Sequence, residues 1–141
     1  MSLKKKRLFI GIAVVVVGIQ VLPGGRNHTN PPVTGEPEWD SPRTRELARR
    51  ACFDCHSNQT RWPWYSNIAP VSWLIQSDVD RGRAEMNFSE FDRPQEEADE
   101  AAELVRSKEM PLPFYVPFHG EAKLTDAERE ALAAGLEATF R

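Results

Sequence analysis

The residues with the most chemistry in them are Cys52, Cys55 and His56, which stand together as Cys-Phe-Asp-Cys-His. Two thiols spaced by two residues and followed at once by an imidazole form the pattern that attaches haem in c-type proteins. On one helical turn both sulfurs reach the same edge of a porphyrin, each as a thioether to a vinyl group. His56 then points at the iron as an axial ligand. Other chemistries use the same residue types. A redox dithiol usually accompanies a strand–helix–strand pattern, which this chain lacks. A zinc site needs four ligands, commonly as two regularly spaced pairs, and His28 and His119 do not form a second pair. The spacing therefore favours one covalent haem c, held by the chain's two cysteines.

The second axial position has several candidates: Met110, Met86, His119, His28, or no residue at all. Met110 follows a helical pattern and precedes Pro111 and Pro113, which stiffen its loop. Met86 reads more simply as a core side chain. His119 precedes Gly120 in a loop, and His28 lies in a Pro/Gly-rich stretch. Met110 is the favoured partner of His56. A His/Met pair raises the haem potential and leaves no open site for oxygen or peroxide, which suits one-electron transfer.

Helical patterns must position these groups. Ser41 before Pro42 is a helix start, with an N-cap hydroxyl and a first-turn proline, and this helix should carry Leu47, Ala48 and Ala51 into the haem motif. Val71, Leu74, Ile75 and Val79 recur at helical spacing, opposite Asp80, Arg81 and Arg83. A third helix is predicted from Asp92 and Pro94 through Ala98, Ala101, Ala102 and Val105, with Pro111 and Pro113 as its stop. Thr125 with Glu128 is a capping box for a fourth, whose apolar face is Ala131, Leu132, Leu136 and Phe140. No strand pattern is present, so the expected class is all-α, with about four helices around one haem.

The chain divides into three regions: 1–22, 23–40 and 41–141. Lys4, Lys5, Lys6 and Arg7 precede an apolar run from Leu8 to Leu22, the pattern of a signal or an N-terminal anchor. The run is shorter than the ~20 residues that span a bilayer as helix. No small-residue cleavage site follows it, so a retained transmembrane anchor helix is expected, with its cationic end in the cytoplasm. Residues 23–40 hold Gly24, Gly25, Pro31, Pro32, Gly35 and Pro37 and read as a tether. A flexible coil of that length spans about 20–25 Å. Net charge is −3, with the four N-terminal cations among the 18 basic residues. Without them the body is distinctly acidic, which argues against nucleic acid and suits a basic redox partner.

Several segments resemble a bacterial family of haem-binding domains, small monohaem c-type proteins. They are Cys-Phe-Asp-Cys-His-Ser-Asn (52–58), Trp-Pro-Trp-Tyr-Ser (62–66), Ile-Ala-Pro-Val-Ser-Trp-Leu-Ile (68–75), Asn-Phe-Ser (87–89), Glu-Met-Pro (109–111) and Glu-Ala-Lys-Leu-Thr (121–125). The resemblance covers about residues 40–140. It implies a cytochrome-c-like helical fold, covalent haem, export from the cytoplasm, and His56 with Met110 as the axial pair. Related sequences tend to have His-Pro where this chain has His119-Gly120. Trp62 to Trp73 could pack on the porphyrin edge or simply fill a core. The Pro70 carbonyl is a candidate acceptor for the second imidazole N–H of His56. The Asn-x-Ser/Thr triplets at Asn27, Asn58 and Asn87 read as chance.

The expected function is a membrane-tethered monohaem cytochrome, not an enzyme. It would carry single electrons on the periplasmic side of the cytoplasmic membrane, alone or within a respiratory or photosynthetic complex. The alternatives are a haem sensor or peroxidase-like enzyme with an open sixth position, and a structural haem subunit. A head of about 100 residues, rich in acids and alanines, has a modest core. A haem adds apolar surface worth roughly 25 cal/mol per Å² buried. The double variant Cys52→Ala, Cys55→Ala, produced without haem, is expected to lose much of its helical circular dichroism. A near-native spectrum would contradict that dependence.

Overall fold

In the computed structural model, which describes residues 2–141, the regular elements are all helical. They are α1 (Leu3–Gly18), α2 (Pro42–Ala51), α3 (Phe53–His56), α4 (Val71–Glu85), α5 (Ala101–Arg106) and α6 (Asp126–Thr139), with four short 3-10 turns between them. The only β pairing among the described residues is an isolated bridge, Gly35 with Glu90. The all-α expectation therefore holds. The chain forms two units, residues 1–29 with 62–78, and residues 30–61 with 79–141; α4 begins in the first and ends in the second.

In the first unit, α1 has no buried side chain. It is 16 residues long, about 24 Å at 1.5 Å per residue, against a hydrocarbon core of ~30 Å. The backbone then tightens into a 3-10 turn over Ile19–Val21. Among the described residues no helix is long and apolar enough to cross a membrane, so the predicted transmembrane anchor helix is without support. Gln20 ties the end of this run to the start of α4: its Nε2 donates to the Ala69 carbonyl and its Oε1 accepts from the Ala69 N–H. Gly25, at φ +67°, lies so close to Trp73 that a Cβ there would stand 2.8 Å from the Trp73 Cα.

The second unit holds the core. Local signals set its helix ends as the sequence suggests. Ser41 Oγ accepts from the Thr44 N–H, with Pro42 at N1 of α2. Thr125 and Glu128 form the reciprocal capping box of α6. The Thr125 backbone N–H first, and Arg50 next, hold the Glu128 carboxyl down at about 2. Leu47, Ala48 and Ala51 of α2 pack with Val105 of α5 and with Leu132, Ala133 and Leu136 of α6. Beside them Phe88 stacks on Trp39, Phe53 and Phe140, at 5.2, 5.3 and 6.3 Å between ring centres.

The third predicted helix is shorter than its pattern. Residues 92–100 form turns and irregular backbone, and α5 begins only at Ala101. Gln95 explains this: its Oε1 accepts from the Asn87 N–H and its Nε2 donates to the Glu90 carbonyl. These side-chain bonds give that segment a structure other than helix. Residues 30–40 are also held in place. The Thr34 and Gly35 N–H groups donate to the Ser89 carbonyl, and Glu36 makes a two-bond pair with Arg45 at 2.7 Å.

Where α2 crosses α6, Gly135 faces buried Thr44. A Cβ at 135 would lie 2.0 Å from Thr44 Oγ1 and 2.8 Å from Thr44 Cβ. Overpacking costs about 1–3 kcal/mol, more than the ~1 kcal/mol that Ala gains over Gly inside a helix. Gly135→Ala is expected to destabilise the protein by about 1–2 kcal/mol in chemical denaturation. A melting temperature equal to or above that of the parent would show that the crossing yields without penalty.

Candidate haem site

The Cys-x-x-Cys-His segment is fixed by its two intervening residues as much as by its helical turn. The N–H groups of Cys55 and His56 both donate to the Cys52 carbonyl, at 3.1 and 2.8 Å, and close the turn. Phe53 points inward and stacks in the aromatic core. Asp54 points the other way. It accepts from the Tyr115 hydroxyl at 2.6 Å and from the Nε and Nη2 of Arg61. One side chain anchors the turn in apolar packing and the next anchors it through charge-assisted hydrogen bonds.

His56 is oriented by a backbone carbonyl. Its Nδ1 lies 3.1 Å from the Met86 carbonyl oxygen, so with Nδ1–H donating there, Nε2 is the nitrogen left for a metal. The expected acceptor, Pro70, is not the one used: its carbonyl receives the N–H groups of Trp73 and Leu74 in the first turn of α4. Helical hydrogen bonding at α4 already employs it. The Phe88 N–H donates to the His56 carbonyl, fixing the residue from its backbone as well.

The loop after His56 rests on buried amides. The Asn87 Nδ2 donates to Asn58 Oδ1, and the Asn58 Nδ2 donates to the Pro32 carbonyl and to Glu90. The hydrogen bond from Asn58, and then Arg93, keep the Glu90 carboxyl below its ordinary range. The triplets at Asn58 and Asn87, read from sequence as chance, are thus buried structural positions.

A small apolar hollow gathers Cys52, His56, Met86 and Met110, walled by Ala101, Leu104, Val105, Pro111 and Leu136. Cys55 is not among its lining residues. Its backbone packs instead on Gly82 of α4, where a Cβ would stand 2.7 Å from the Cys55 carbonyl oxygen. No disulfide joins Cys52 and Cys55. Burial, and then the neighbouring Cys55, push the Cys52 thiol up to about 12. Met86 is held beside Nδ1 of His56 through its own carbonyl, the ring edge turned away from Nε2. His119 is elsewhere: it stacks on Tyr115 at 3.8 Å, with Nδ1 on the Tyr115 carbonyl. His28 stacks on Trp62 in the first unit. Among the described residues no three His, Cys, Asp or Glu side chains gather as a metal site, so a zinc centre gains no support.

The donor set fits haem: thiols at the expected spacing, an imidazole with a fixed tautomer, a thioether, and apolar walls. The hollow measures about 50 Å³, against ~300–1,000 Å³ for pockets that take organic ligands, so a porphyrin requires its walls to part. The family comparison agrees with the donor set. Residues 14–138 match the model of the haem-binding domain family, and the chain belongs to that family. It is a haem-binding protein. No curated protein and no solved structure matches the chain.

Tyr115, Asp54 and Gly82 escaped the sequence reading, because each acts through a partner distant in the chain. Burial first, and then Asp54, hold the Tyr115 phenol above its ordinary 10.0. The folded state therefore keeps a proton that the unfolded chain loses, and stability should fall as pH rises above about 10. Tyr115→Phe is expected to lose about 1.5–3 kcal/mol at neutral pH, the worth of a hydrogen bond to a charged group. Its alkaline denaturation profile should also flatten. An unchanged stability at pH 7 and an unchanged alkaline slope would remove Tyr115 from the support of the motif.

Proposed function

We propose that this haem-binding chain is a monohaem c-type cytochrome that carries single electrons at the outer face of a cytoplasmic membrane. The observation that carries this reading is the convergence of Cys52, His56 and Met110 on one apolar hollow. Cys52 and Cys55 would hold the group covalently, and His56 and Met110 would ligate the iron. The haem supplies reversible one-electron chemistry when bound, and the chain supplies orientation, dryness and potential. Met110 is favoured over Met86 as second ligand, since the Met86 carbonyl occupies Nδ1, the edge of His56 opposite the metal-facing Nε2. A His/Met pair closes both axial positions, which argues for transfer rather than catalysis.

The membrane part of the reading rests on α1. Its apolar side chains, among them Phe9, Ile10, Ile12 and Val14 to Val17, are at least half exposed, and Lys4 to Arg7 form a cationic collar at one end. Long cationic side chains reach the interface while their stems stay in the apolar layer, which offsets the shortness of the helix. The collar would lie on the cytoplasmic side and the haem-bearing unit in the periplasm. The redox partners would be proteins of a membrane electron-transfer complex, and the acidic body suits a basic docking face.

The test is the spectrum of the oxidised, haem-loaded protein and of its Met110→Ala variant. The parent should show the near-infrared methionine–iron charge-transfer band, and the variant should lack it and bind carbon monoxide when reduced. A band that survives Met110→Ala would assign the second ligand to another residue. A parent that binds carbon monoxide as readily as the variant would favour a sensor.

A further inference from the structure

We infer that Arg129 is a positioning residue that holds Met110 on the iron. This rests on the assignment of Met110 as axial ligand. Arg129 lies on α6 and sends Nη1 to two carbonyls at once, Val105 at 2.8 Å and Met110 at 3.1 Å. The Met110 N–H donates to the Leu104 carbonyl at 2.9 Å. Both backbone polar groups of Met110 are therefore fixed, one by the end of α5 and one by α6, so the point from which its side chain departs is set before any ligand bond forms.

The neighbouring contacts show what Arg129 adds. Lys108 pairs with Asp126 at 3.4 Å, but both side chains are largely exposed, and such pairs contribute little. Arg106 pairs with Glu130 and Glu137 of α6 and ties down the helix rather than the loop. Lys108 itself sits at φ +68°, a left-handed conformation that a non-glycine residue adopts only under constraint. Arg129 alone among these cations bonds to the Met110 backbone. Its Nε is buried with no hydrogen-bond partner, an arrangement that ordinarily opposes folding. The two carbonyl bonds made by Nη1 offset part of that cost.

The experiment compares haem-loaded full-length protein with Arg129→Gln and Arg129→Lys. Three readouts are taken: the near-infrared methionine–iron band, carbon monoxide binding after reduction, and hydrogen exchange at the Met110 amide. Removing a charged donor from the part-buried Met110 carbonyl should raise the fraction of molecules with Met110 off the iron by about 10- to 100-fold. It should speed Met110 amide exchange by at least about tenfold. Arg129→Lys, which keeps a cation with donors, should fall between parent and Arg129→Gln, and serves as the test if the Gln variant does not fold. A lowered melting temperature with an unchanged band, unchanged carbon monoxide binding and unchanged exchange would reduce Arg129 to a structural role and overturn the inference alone. A parent protein without the band would overturn the ligand assignment and this inference together.

Discussion

The structure turns on one short segment whose two faces are bound differently. Between the cysteines, Phe53 is held by stacking on Phe88 and by a tilted contact with Trp39, and Asp54 is held by Tyr115 and Arg61. A haem-attachment turn needs its donors held in one orientation. Opposed anchors hold this turn because neither face can rotate without losing either apolar packing or a charge-assisted hydrogen bond. The core of α2, α5 and α6 then serves as a rigid base, and the carbonyl of Met86 completes the orientation of His56.

This arrangement separates the roles of the two intervening positions. They contribute no donor to a haem, yet they decide where the donors point. The close approach of Gly82 to Cys55 acts in the same sense: a side chain at 82 would push the turn away from α4. On the other side of the hollow, Met110 depends on the end of α5 and on α6 rather than on its own loop. Of the two proposed ligands, His56 is carried by α3 and Met110 by the loop after α5, and the packing of α2 and α5 on α6 relates them.

Much of this was legible in the residues. Ser41 with Pro42 and Thr125 with Glu128 mark helix starts because caps are local chemistry, and both are found as read. The motif names Cys52, Cys55 and His56 by spacing alone, and the structure brings Cys52 and His56 to the hollow with Met110. What failed to show in the sequence is non-local. The apolar pattern after Asp92 looked helical, but Gln95 bonds to Asn87 and Glu90 and holds turns instead. Pro70 was a reasonable acceptor for His56, but its carbonyl belongs to the first turn of α4. Tyr115 and Arg129 meet their partners across tens of residues, and no periodicity or motif encodes such a meeting. The apolar run near the N-terminus suggests an anchor, and α1, 16 residues long, gives that expectation no support by its length.

Covalent attachment through both thiols is the claim on which the rest stands. Intact-protein mass spectrometry of the natively produced, denatured chain measures it directly. A single species heavier by one haem, with neither Cys52 nor Cys55 open to thiol alkylation, is the expected result. A chain at its apoprotein mass with both cysteines alkylated would contradict it.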